Sequence, residues 1–188
     1  MAATNSSQEP VVRPASRILC LDPYQRLLLL RWRDPVSGVT FWEPPGGGLQ
    51  PGEDHLAAAR RELHDRTGLP PELVTAQSVP VHRDFRWRGR WYAGTEHFFL
   101  GRMPAPHEVR PVILTAEEDG ALLEGLWLSW DEVLGLPEPT RPPHLADVLT
   151  ALDPSGPWNP EPPWSNSLNQ SSRNDRATAA GRRPDMEP

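Results

Sequence analysis

The sequence predicts a mixed α/β domain, on three observations. Short apolar runs bounded by turn residues fill positions 16–43 and recur around positions 75–103 and 120–128. Two stretches repeat apolar residues at helical spacing. The strand-like and helix-like segments do not alternate regularly, which argues against a parallel βαβ array. At 188 residues the chain has the length of one domain with flexible ends.

Taken in order, "SRILCLD" and "RLLLLRW" are apolar runs joined through Asp22-Pro23, a turn signal, and predict a hairpin. "GVTFWEPPGG" predicts a third strand that the double proline ends, because proline cannot donate in a ladder. A glycine loop follows, then a helix over about 54–67. Leu56, Ala59, Leu63 and Thr67 form its apolar stripe, and Gly68 is its natural stop. "QSVPVHRDFRWRGRWYAGTEHFFLGRM" predicts two or three strands, with a turn near Arg88-Gly89-Arg90 and another at Gly94. "LLEGLWLSWDEVLGL" reads as a strand entering a short helix capped by Ser129 or Asp131. "PPHLADVLTAL" predicts a last helix with Pro142 and Pro143 in its first turn.

The folded unit is expected over 14–152, after a flexible N-terminal arm, 1–13. From Asp153 to the end, Pro, Ser, Asn and Arg dominate with almost no aliphatic residues, so 153–188 is expected to be a disordered tail. Trp158 and Trp164 are its exceptions, suited to latching onto the domain surface. A net charge of −6 disfavours a nucleic-acid binder. The one cysteine, Cys20, lies in an apolar run and excludes an internal disulfide, so a reducing, cytoplasmic setting is expected. "MAATNSSQEP" lacks the pattern of a secretory signal, and no apolar run approaches the roughly 20 residues that span a bilayer.

Chemistry concentrates in "PPGGGLQPGEDHLAAARRELHDRTGLP". On the helix, Glu62, Asp65 and Arg66 stand at i, i+3 and i+4 and share one face. Two carboxylates one turn apart make a hard oxygen site suited to Mg²⁺ or Mn²⁺. Gly47 and Gly48 let the backbone approach a phosphate closely. A metal beside a glycine loop is a device for a diphosphate. The bland alternative is a solvated helix face with a Glu62–Arg66 ion pair.

The spacing decides between them. The segment resembles the signature of the Nudix hydrolase superfamily, G-x5-E-x7-R-E-U-x-E-E-x-G-U, with U a bulky aliphatic residue. Gly47, Glu53, Arg61, Glu62, Leu63, Gly68 and Leu69 occupy its fixed positions, and the paired acids read Asp65-Arg66. The resemblance implies an α/β/α sandwich around a curved mixed sheet, the signature forming a loop-helix-loop. It implies hydrolysis of a nucleoside diphosphate linked to another moiety. Glu62 then takes the metal-binding and catalytic role, with Asp65 and the Gly46 carbonyl as further ligands and Glu53 with Arg61 as the bracing pair.

Arg66 departs from the pattern, since a guanidinium cannot ligate a cation. Three consequences stay open: fewer metals, a carboxylate borrowed from elsewhere, or a nucleotide-binding or regulatory protein that has lost catalysis. Glu96, Glu117 and Glu118 are the candidates for a borrowed ligand. Arg66 is also a candidate for pairing with a substrate phosphate. Arg86 and Arg88, in the basic and aromatic "HRDFRWRGRW", are expected beside the phosphates, although a hairpin with one solvated face fits the same pattern. Trp42 and Phe41, just before the loop, offer rings that could stack a base, although core packing fits them better, and His55 and His144 read as surface. The expected partner is a nucleotide-type small molecule; a homodimer is left open.

Overall fold

The computed structural model describes residues 9–105, 107–110 and 120–160. Glu117 and Glu118, as well as Trp164, lie outside them.

Strands β1 (Ala15–Leu21) and β2 (Leu27–Arg33) form the expected hairpin, with Leu21 opposite Leu27. β3 (Thr40–Glu43) pairs antiparallel with β2. The expected glycine loop is itself a short strand, β4 (Gly46–Gly48), antiparallel to the start of β1. Helix α1 (His55–Thr67) follows, and a 3₁₀ turn at Pro71–Leu73 leads into β5 (Val74–Trp87) and β6 (Arg90–Arg102). The hairpin turns at Arg88-Gly89, and no turn interrupts β6 at Gly94. β7 (Leu122–Leu128), α2 (Trp130–Leu134) and α3 (Leu145–Leu152) complete the described elements. Pro142 and Pro143 precede α3 rather than entering its first turn.

The sheet runs β3-β2-β1-β6-β5, with β7 added to β2. β1 and β6 are parallel while the other pairs are antiparallel, so the sheet is mixed. Alternation along β1 separates two apolar layers. Ile18 and Cys20 face α1, where they pack with Leu28, Ala59, Leu63 and Phe99. Leu19 and Leu21 face α3, where they pack with Leu27, Phe98, Val148 and Leu149. This is a sandwich of helix, sheet and helix. Cys20 is fully buried, and burial pushes its thiol pKa upward, which leaves it inert.

The expected boundaries move at both ends. Trp158 is 2 % exposed inside the α3-side core, and its indole N–H donates to the Asp153 carbonyl at 2.7 Å. Residues 153–160 therefore belong to the folded unit, because one large aromatic buries enough surface to order a proline-rich segment. At the other end, the Val11 N–H donates to the Trp91 carbonyl at 2.8 Å and draws the arm along β6. No helix among the described residues is long and apolar enough to cross a membrane.

Candidate active site

The site forms where β4 hands the chain to α1. Asp54 caps the helix by accepting the Ala57 N–H at 2.8 Å, and Gly68 ends it in the left-handed conformation at φ 71°. These stops bring the polar face of α1 against the β4 backbone. A Cβ on Gly47 would stand 2.5 Å from the Glu62 carboxyl carbon, so only glycine leaves room for that carboxylate. A Cβ on Gly46 would meet the Ser16 carbonyl at 2.2 Å. The glycine run is thus required by close approach.

Arg61 ties the site together. Its Nε and Nη2 donate to the two Glu53 oxygens at 2.9 and 2.8 Å, and Nη2 also donates to the Gly48 carbonyl at 3.0 Å. Its Nη1 donates to Glu62 Oε1 at 2.7 Å and stands 3.7 Å from Asp65 Oδ2. Glu53 in turn accepts the Gln50 N–H at 2.9 Å. The Arg61 hydrogen bonds hold the Glu53 carboxyl below its usual range. Glu53 and Arg61 therefore fix loop to helix.

Glu62 and Arg66 do not meet solvent as the shared polar face suggested; they are 3 % and 6 % exposed. Arg66 Nη2 lies 3.1 Å from Glu62 Oε2, outside hydrogen-bond geometry, so Oε2 is buried with an ion-pair neighbour but no hydrogen-bond donor.

A second charged group lies across the glycine strand. Arg17, on β1, donates from Nε to Glu96 Oε2 at 3.1 Å and pairs through Nη1 with Glu43 Oε1 at 2.8 Å. Arg83, on β5, donates from Nη1 to the same Glu96 oxygen at 3.1 Å and approaches Glu43 Oε2 at 3.5 Å. All four side chains are buried. Burial alone would raise the Glu96 pKa; Arg17 and Arg83 outweigh it and hold the group ionised below its usual range.

Two adjoining cavities open above this group and share Arg13, Arg17, Gly47, Phe85 and Tyr92. Phe85 and Tyr92 stack at 5.5 Å, and Trp87 meets Phe41 edge-on at 5.8 Å. The Arg141 guanidinium lies 3.6 Å from the Phe41 ring centroid. Its loop is strapped along β3: the Arg141 N–H donates to the Trp42 carbonyl, and the Trp42 N–H donates to the Pro139 carbonyl.

A model of the NUDIX domain matches residues 11–152. The chain belongs to the Nudix family. It is 29% identical to an RNA pyrophosphohydrolase of Roseobacter denitrificans over 151 residues, covering 75% of this chain and 91% of that one. It is 27% identical to Nudix hydrolase 25 of Arabidopsis thaliana over 143 residues, covering 70% and 81%. Among solved structures, a C. elegans Ap4A hydrolase binary complex superposes with a TM-score of 0.54 at 18% identity, covering 74% of this chain and 96% of that one.

Within this Nudix fold the expected residues divide. Gly46, Gly47, Gly48, Glu53, Arg61, Glu62, Asp65 and Arg66 come together at the β4–α1 junction. Glu96 instead sits in mid-strand between two guanidiniums, which compete with any cation for it. Arg86 and Arg88 do not line the cavities. Strand alternation sends Arg83, Phe85 and Trp87 inward and Arg86 outward, and the Arg88 N–H is engaged with Asp34 at the hairpin end. Phe41 is both: it is buried in the core and lines a cavity. His55, read as surface, is half-buried, contacts Ser16 Oγ at 3.1 Å and lies 4.0 Å from the His97 ring. Arg13, Arg17, Glu43 and Arg141 were missed. Their sequence neighbourhoods carry no signal, because only the fold brings them beside the signature.

Nudix hydrolases as a family use divalent metals, and the donor set here fits one such ion at most. Glu62 and Asp65 supply carboxylates, and Glu62 Oε2 lacks a hydrogen-bond donor. The third acid of the signature is replaced by the Arg66 guanidinium beside that same oxygen. Among the described residues no three His, Cys, Asp or Glu side chains group to hold a metal.

Proposed function

We propose that this chain is a pyrophosphohydrolase that cleaves the diphosphate of a nucleoside diphosphate linked to another moiety. The observation that carries this reading is the Glu53–Arg61–Glu62 chain of hydrogen bonds, which holds a carboxylate against the Gly47 backbone beside an arginine-rich aromatic cavity. Glu62 and Asp65, with the Gly46 carbonyl, are the residues to hold a Mg²⁺ or Mn²⁺ ion. Such an ion, when bound, neutralises phosphate charge and acidifies an attacking water. Glu62 is also the group to orient that water and take its proton. Arg61 limits the rotation of Glu62 and gives it a fixed aim. Gly47 and Gly48 admit the phosphates, and the rings of Phe41, Phe85 and Tyr92 offer faces to a base. Water attack on phosphorus then releases a nucleoside monophosphate and a phosphorylated leaving part.

The name of the RNA pyrophosphohydrolase relative adds RNA to the substrates worth testing. Net acidity favours the small molecules. The buried Cys20 thiol suits a cytoplasmic setting.

A second reading has its own observation. The Arg66–Glu62 contact could leave a nucleotide-binding protein without turnover. One screen separates the two: nucleotide sugars, ADP-ribose, Ap4A, nucleoside triphosphates and capped or triphosphorylated RNA, each with Mg²⁺ and with Mn²⁺. The hydrolase reading expects turnover of at least one compound and a fall in kcat of about a hundredfold or more in Glu62→Gln. A wild type without turnover, made active by Arg66→Glu, would establish the second reading instead.

A further inference from the structure

Where a metal bridges protein and diphosphate, substrate binding and metal binding are one event. In this chain the charges are arranged differently. The two cavities are lined by four arginines, Arg13, Arg17, Arg83 and Arg141, against two glutamates, Glu43 and Glu96, which leaves a net +2 before any ion is added. At the helix face, Glu62 already has Arg61 on one oxygen and Arg66 beside the other. The positive charge that a diphosphate needs is therefore built into the protein.

Unsatisfied donors point the same way. Trp32 Nε1 is buried without a hydrogen-bond acceptor, and Arg83 Nη2 has the Glu43 carboxylate at 3.5 Å but no hydrogen bond; both side chains line these cavities. An unpaired buried donor is costly, and an acceptor-rich ligand relieves the cost. Arg141 is partly desolvated over the Phe41 ring, and Arg13 lies across Gly48, where a Cβ would stand 2.3 Å from its Nε. Guanidiniums held in this way are suited to phosphate oxygens, because the fork donates two bonds at once.

We propose that Arg13, Arg17, Arg83 and Arg141 bind the phosphate groups of the substrate directly, so that a nucleoside diphosphate binds this chain with no divalent ion present. The proposal rests on the nucleotide-hydrolase reading for its ligand class and differs from it in what it requires of the metal: the ion serves turnover and not capture.

The test is equilibrium binding by calorimetry of ADP, GDP, CDP and UDP to the full chain, once in EDTA and once in Mg²⁺, at two salt concentrations. At least one diphosphate is expected to bind in EDTA, with a Kd that Mg²⁺ alters by less than about threefold and that weakens as salt rises. Arg141→Gln and Arg13→Gln are each expected to weaken that Kd by about tenfold or more. Arg33→Gln, on the exposed end of β2, serves as the charge control and should leave it unchanged. Binding seen only with Mg²⁺, or binding in EDTA indifferent to Arg13 and Arg141, overturns the proposal and leaves the hydrolase reading standing. Binding in EDTA with no turnover in the metal-supplemented screen supports the proposal and defeats the hydrolase reading. Absence of binding under both conditions overturns the proposal.

Discussion

At the scale of single residues, Arg66 distinguishes this site from its signature. An acid at its position would place three carboxylates within two turns of a helix, and their mutual repulsion would call for a cation. The guanidinium supplies that charge permanently. We expect Arg66→Glu to make stability depend on metal. In EDTA the variant should lose on the order of 3 kcal/mol, the cost of leaving a buried charge without its partner. Millimolar Mg²⁺ should return most of it, a larger rise in melting temperature than the same ion gives the wild type. Thermal melts with and without the chelator decide it: a variant indifferent to Mg²⁺ contradicts the account of Arg66 as a resident cation. Glu53 and Arg61 were legible as a brace only through the resemblance to the signature, and the structure pairs them at 2.8 and 2.9 Å. Arg141 was not. It reaches the cavity through a loop that pairs with β3, and nothing in "PTRPPH" records that pairing.

At the scale of elements, α1 shows how local rules place chemistry. Asp54 and Gly68 set its ends, and its spacing puts Ala59 and Leu63 into the sheet while Glu62 turns toward β4. Replacing Asp54 by Ala should cost about 1 kcal/mol, the usual value of such a cap. It should also raise KM or lower kcat measurably, since the first turn sits beside the Glu53 loop; urea denaturation and a rate assay check the two halves. The helix boundaries were readable because caps are local. The strand β4 was hidden, since a run of glycines carries no strand propensity and becomes one only by pairing with β1. Glu96 misled for a related reason. Gly94 suggests a turn in the sequence, whereas the β5 partner keeps the strand running through it. Parity along β5 sorted the arginines, inward at Arg83 and outward at Arg86, and parity needs a register that the sequence alone does not fix.

At the scale of the whole molecule, two apolar layers share one sheet, and the last described segment closes the second of them. Trp158 meets Trp130 edge-on at 6.3 Å and lies in the same cluster as Leu145 and Val148. Trp158→Ala should destabilise the fold by about 3–5 kcal/mol, the usual range for a buried Trp truncated to Ala. Chemical denaturation would show it, and a loss below about 1 kcal/mol would mean that the segment beyond α3 is not part of the core. The sandwich was legible from its apolar runs, and Trp158 was legible as a latch; its place inside the core was not, because a proline-rich stretch reads as unstructured until one large ring finds a pocket.

The strand β1 shows what such economy entails. Its seven residues pair with β2, β4 and β6, feed both apolar layers, and carry Arg17 beneath the glycines. Folding and ligand recognition therefore draw on the same short stretch of chain. Natural variation in what this protein recognises has little room there. It has room at Arg13 and Arg141, which approach the cavity from the N-terminal segment and a late loop and belong to neither apolar layer.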